Sequence, residues 1–157
     1  QVLRGKDKVY LADAALPGAV LLLGRRLLER PDRLGAAVET AFFKHVYTRF
    51  YSQTPTFSYW RDKRTTDLEV DLIAQMGERV VPFEVKYHDA EITPQRLKGL
   101  RLFLEEHNVD QGYVISRRVE DFGLMTVESA RTGHEQRKLL ATVLKIPAPL
   151  ACYWLSV

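Results

Sequence analysis

The spacing of apolar and polar positions changes several times along this chain, and each change marks an element. Lys8-Val9-Tyr10-Leu11-Ala12-Asp13 is a short strand-like run, followed through Pro17-Gly18 by a second apolar run that ends near Gly24. Residues 1–32 read as a junction or cap rather than a domain, and residues 33–157 as the domain proper. Pro31-Asp32 opens a long helical pattern in which Leu34, Val38, Ala41, Phe42, His45 and Val46 share one stripe, with Glu39, Phe43 and Tyr47 beside it. A helix apolar over most of its circumference is expected to be largely buried.

From Thr56 the period drops to two. Phe57-Ser58-Tyr59-Trp60, Leu68 to Ala74 and Arg79 to Tyr87 are three strand-like runs. They are separated by the turns Lys63-Arg64-Thr65-Thr66 and Gln75-Met76-Gly77-Glu78, and predict an antiparallel meander. Thr93-Pro94 supplies an N-cap and a first-turn proline for a helix carrying Leu97, Leu100 and Leu104, with Arg96, Arg101 and Glu105 outward. Gly112 to Ser116 is a buried strand reached by a crossover. A further strand is expected near Leu139 to Ile146, a terminal segment after Pro147-Ala148-Pro149, and a mobile stretch around Arg131 to His134. The fold class is α/β, a mixed sheet flanked by helices.

Composition narrows the chemistry. With 157 residues, 46% hydrophobic and 27% charged, one core suffices. The longest apolar run, Ala19 to Leu23, is far short of the roughly 20 residues that span a bilayer, so no membrane role is expected. The chain opens at Gln1 with neither a signal nor a transit pattern, and reads as a fragment or a processed chain. A single cysteine, Cys152, excludes an intrachain disulfide and a tetrathiolate zinc site, in keeping with a reducing cytoplasm. The net charge of +3 permits contact with polyanions.

Strand alternation sets Glu84 and Lys86 on one face, against Val81, Phe83 and Val85 on the other. If Gln75 to Glu78 form a four-residue loop, Ala74 lies opposite Arg79 and Glu69 opposite Glu84, with Asp71 diagonal at roughly 7–8 Å. Like charges so placed need a cation, the neighbouring Lys86 or full solvation. A hard divalent ion, Mg²⁺ or Mn²⁺, would be served by Asp71, Glu84 and the Val85 carbonyl, with Lys86 orienting or deprotonating an attacking water. A Glu-x-Lys pair by itself is a common solvated pair worth little. The ordered set is more specific: a lone Glu39 on an apolar helix, an apolar strand with Asp71, a short turn, and a strand with Glu84-x-Lys86.

That set carries a resemblance. Val9 to Asp13, Gly35-Ala36-Ala37-Val38-Glu39-Thr40, Tyr59 to Lys63, Glu69 to Leu72, Pro82 to Tyr87 and Leu97 to Leu100 resemble the domain of unknown function that follows the ATPase module in many bacterial and archaeal AAA-type ATPases. That domain is similar to the PD-(D/E)XK phosphodiesterase superfamily. The resemblance implies a restriction-endonuclease-like core, Asp71 and Glu84 as metal-binding acids, Lys86 as catalytic lysine, and Glu39 as the acid of the first core helix. Val70 stands where the motif's proline would be. The superfamily includes members that bind without cleaving, so two functions follow: a metal-dependent nuclease acting on nucleic acid, or a non-catalytic binding or regulatory domain. In either, a preceding ATPase module of the same full-length protein is the implied partner.

Arg61, Lys63 and Arg64 flank Tyr59 and Trp60, a mixture of cations and aromatic rings suited to phosphate contact and base stacking, or a charged hairpin turn beside a core Trp. His45 reads as a hydrogen-bonded core histidine and His88 as exposed. His107 and His134 lack partners at metal-ligand spacing, and Ser116 lacks a nucleophile-elbow context. The sequence contains no P-loop.

Overall fold

The computed structural model describes residues 8–64, 67–128 and 140–157. A short helix α1 (Leu16–Val20) and a turn of 3-10 helix lead into α2 (Pro31–Phe50). Three strands follow, β1 (Thr56–Arg61), β2 (Glu69–Met76) and β3 (Arg79–Lys86), and then α3 (Lys98–Glu106). β4 (Gln111–Ser116), β5 (Gly123–Glu128), β6 (Leu140–Pro147) and α4 (Ala148–Ser156) complete the chain. The expectation for residues 131–134 lies outside the described residues, as do Thr65, Thr66 and Leu139.

The six strands form one mixed sheet in the order β1-β2-β3-β4-β6-β5. The meander of β1, β2 and β3 is antiparallel, β4 and β6 run parallel to β3, and β5 returns antiparallel to β6. A parallel step requires a crossover. α3 provides the one from β3 to β4, and it covers one face by burying Leu100, Phe103 and Leu104 against Val70, Ile73, Val114 and Val143. Each of these large side chains contributes about 1.5–3 kcal/mol on leaving water. The opposite face carries Leu72, Phe83, Ile115 and Ile146 under α2 and α4.

Three expectations are corrected, and two elements are added. The β2–β3 turn has two residues, not four, because Met76 pairs with Arg79. Gly77, at φ +60°, supplies the positive φ that such a tight turn needs at its first central position. α2 is only half-buried: Phe42 and Val46 are fully covered, but Tyr47 remains 44% exposed, since the sheet and α4 cover one side of it. Thr93 makes no capping bond; a 3-10 turn at Pro94–Arg96 precedes α3, and Leu97 breaks the two apart. β5 had no clear pattern in the sequence, and the terminal segment is the helix α4.

Between Ser58 opposite Ile73 and Trp60 opposite Val70, Tyr59 of β1 faces two residues of β2, Asp71 and Leu72. This β-bulge breaks the alternation. Val70 and Ile73 both join the α3-side core, while Leu72 joins the other. A bulge bends its strand and re-aims a side chain, and here the re-aimed residue is Asp71.

Candidate metal centre

The ladder between β2 and β3 ends at Leu72 opposite Phe83, one step before Asp71 and Glu84. The two-residue turn shifts the register by two, so Asp71 rather than Glu69 stands level with Glu84. Beyond that point the Asp71 side chain takes over the pairing, and its Oδ2 accepts a hydrogen bond from the Val85 N–H at 2.8 Å. Asp71 and Glu84 are both buried, at 8% and 5% exposure. They lie where the strands part, in a cleft of about 310 Å³ that also takes in Glu39, Glu69, Lys86, Arg96, Lys98 and Gly99.

Glu84 Oε1 pairs with Lys86 Nζ at 2.5 Å. Glu84 Oε2 is buried with no hydrogen-bond partner. Burial, reinforced by the Asp71 charge, raises the Glu84 carboxyl to about 7, although Lys86 pulls the other way. Burial lowers the affinity of Lys86 for its proton, but the carboxylates of Glu84, Asp71 and Glu69 outweigh it and the net shift is upward. Lys86 therefore stays an ammonium, a donor and not a base.

Glu39 reaches this region from α2, and two residues absent from the sequence-based site join it. Lys8 Nζ lies 2.7 Å from Glu39 Oε1 and 2.8 Å from Asp71 Oδ1. The Tyr10 hydroxyl donates to Glu39 Oε1 at 2.7 Å and to the Asp71 carbonyl at 3.1 Å. Burial and the bond to Glu39 hold the phenol well above its usual range. An extended Lys8-x-Tyr10 sets both side chains on one side, but nothing in the sequence near them points to Glu39 or Asp71 as their partners.

Among the described residues, no three carboxylate, imidazole or thiol groups cluster tightly enough to cage an ion. The donors fit a more open site: Asp71 with Glu84, whose Oε2 lacks a partner, and the Val85 carbonyl in the neighbouring peptide. A hard ion that retains several waters is bound by such a small set.

The proposed nucleic-acid residues divide. Arg61 pairs with Glu69 Oε2 at 2.7 Å and lies 5.8 Å from the Tyr59 ring. Trp60 turns to the other face and packs edge-on against Phe103 with ring centroids 5.8 Å apart, which engages it with the core. Lys63 and Arg64 are exposed. His45 does hydrogen-bond, at 3.0 Å to Ser156 Oγ, but it is half-buried on α2 rather than in the core. His88 is half-buried rather than exposed, with its Nδ1 enclosed and unpartnered.

Residues 34–131 match the family model described as Domain of unknown function (DUF4143), and the chain belongs to that family. The matched span contains Glu39, Asp71, Glu84 and Lys86, whereas Lys8 and Tyr10 precede it. No curated protein matches the chain. No described helix is long and apolar enough to cross a membrane.

Proposed function

We propose that this domain is a PD-(D/E)XK-like phosphodiesterase that acts on nucleic acid with Mg²⁺ or Mn²⁺, as the C-terminal part of an AAA-type ATPase of the cytoplasm. The observation that carries the reading is the end of the β2–β3 ladder, where Asp71, Glu84 and Lys86 meet and a buried Glu84 oxygen lacks a partner. Asp71, Glu84 and the Val85 carbonyl would hold the ion. Such an ion supplies charge stabilisation at a phosphoryl oxygen and a more acidic bound water.

The remaining roles fall to the chain itself. Lys86, kept cationic by its acidic neighbours, donates hydrogen bonds to a water or a phosphate oxygen and stabilises developing negative charge. Arg96 and Lys98 at the cleft wall face the approaching phosphates. The test is cleavage of single- and double-stranded DNA and RNA with Mg²⁺ or Mn²⁺. Lys86→Ala is expected to lower turnover by about two or more orders of magnitude with little change in substrate affinity. Equal turnover in parent and variant would sink the catalytic assignment.

The second reading, a non-catalytic binding or regulatory domain, draws on Lys8, which already satisfies Glu39 and Asp71. It predicts nucleic-acid or ATPase-module binding that neither needs metal nor changes with Lys86→Ala.

A further inference from the structure

The segment that precedes α1 reaches two of the acids, Glu39 and Asp71. Residues 8–13 join no strand of the sheet. They are held by side chains at three points: Lys8 between Glu39 and Asp71, the Tyr10 ring stacked on Phe43 at 4.4 Å, and Asp13 paired with Lys44 at 3.1 Å. The Asp13 pair is more than half exposed and so adds little. Val9 and Leu11 point outward at 81% and 46% exposure, leaving the strap without an apolar anchor of its own beyond Tyr10.

Asp71 makes the arrangement exclusive. Its Oδ2 accepts from the Val85 N–H and its Oδ1 from Lys8, so both carboxylate oxygens are occupied. Because Oδ2 is committed to the strand junction, Oδ1, the oxygen that Lys8 holds, is the natural ligand atom of Asp71 for a metal ion. The Lys8 ammonium neutralises charge on Glu39 and Asp71 and so competes with any other cation for Asp71. We propose that residues 8–13 are an autoinhibitory strap whose Lys8 ammonium holds the Asp71 oxygen that a metal ion needs, and that divalent binding ejects it. This rests on the reading of Asp71 and Glu84 as metal donors.

The consequence is a penalty on metal affinity. When the competent, strap-open state is a small fraction of the population, the apparent dissociation constant rises by the inverse of that fraction. Removing the Lys8 charge while keeping its stem, as in Lys8→Met, removes most of the penalty.

The experiment is a Mn²⁺ titration of the full chain, followed by calorimetry and by the electron paramagnetic resonance signal of free Mn²⁺. Parent, Lys8→Met, Tyr10→Phe, Asp71→Asn and Lys8→Met/Asp71→Asn are compared. Lys8→Met is expected to bind Mn²⁺ about ten- to a hundredfold more tightly than parent, with binding lost in both Asp71→Asn backgrounds. If Lys8→Met binds no more tightly than parent while Asp71→Asn abolishes binding, the strap is overturned and the metal site stands. If no variant binds Mn²⁺, Lys8→Met included, the metal site falls and the strap with it. Should Lys8→Met fail to fold, Tyr10→Phe decides, because it keeps every charge and removes only the hydroxyl bonds to Glu39 and Asp71. About threefold tighter Mn²⁺ binding supports the strap, and unchanged affinity overturns it.

Discussion

Glu84 is a carboxyl group that folding makes harder to ionise, and this has a measurable sign. Burial, with the Asp71 charge adding to it, moves its pKa from 4.5 in the ordinary range to about 7. Between those values the folded chain keeps a proton that the unfolded chain has released. Stability from this group is therefore full below about pH 4.5 and falls as pH rises towards 7, by about 3 kcal/mol across the span. Glu84→Gln should remove that slope. In chelator, the melting temperature of the parent should drop between about pH 5 and about pH 8 by several degrees more than that of the variant. A parent-to-variant difference that is independent of pH would show that Glu84 is already ionised in the fold. Glu84 and Lys86 were legible in the sequence because an apolar strand that spends two alternate positions on charge needs a reason. Lys8 was not, because its partners Glu39 and Asp71 lie 31 and 63 residues away, and a lysine in a short polar run looks like any solvated lysine.

At the level of elements, the cleft depends on how closely α3 approaches the start of β2. Gly99 is the contact: a Cβ there would lie 2.3 Å from the Glu69 carbonyl oxygen and 3.0 Å from its nitrogen, both backbone atoms that cannot swing aside. Gly99→Ala should destabilise the protein by about 1–3 kcal/mol and, by pushing α3 off the cleft wall, weaken Mn²⁺ binding. The control is Gly35→Ala in α2, where nothing lies within 4 Å and helix propensity alone should stabilise by up to about 1 kcal/mol. Thermal melts of the two variants should move in opposite directions; a Gly99→Ala protein that melts with the parent would show that α3 is free to shift. The meander, α2, α3 and β4 were readable from period and turn residues. The bulge at Asp71-Leu72 was not, since the one departure from alternation in Glu69-Val70-Asp71-Leu72-Ile73, the apolar pair Leu72-Ile73, equally fits a strand buried on both faces. Its cause is long-range: Val70 and Ile73 both belong under α3, and only an extra residue between them allows that. The β2–β3 turn went astray for a local reason, because Gln75 and Met76 look like turn residues although they pair with Val80 and Arg79.

Over the whole molecule, a modest net charge of +3 conceals an opposed distribution. The cleft is lined by Glu39, Asp67, Glu69, Asp71 and Glu84 against Lys86, Arg96 and Lys98, an acidic floor that repels a phosphate backbone until a cation neutralises it. Arg61 reaches that floor through Glu69, and Lys63 and Arg64 follow it, exposed, in the turn after β1. Nucleic-acid affinity should therefore depend on metal and on salt together. With Lys86→Ala to suppress turnover, Mn²⁺ should tighten binding of a labelled duplex at fixed ionic strength, measured by fluorescence anisotropy. The logarithm of affinity should fall linearly with the logarithm of salt concentration, by about 0.9 per phosphate contact for duplex DNA. Neutralising Arg61, Lys63 and Arg64 together should make that slope shallower by about two to three. Binding that metal leaves unchanged would detach the polyanion surface from the acidic cleft. A slope that survives the triple substitution would move the contact to the opposite wall, where Arg96 and Lys98 become the residues to neutralise.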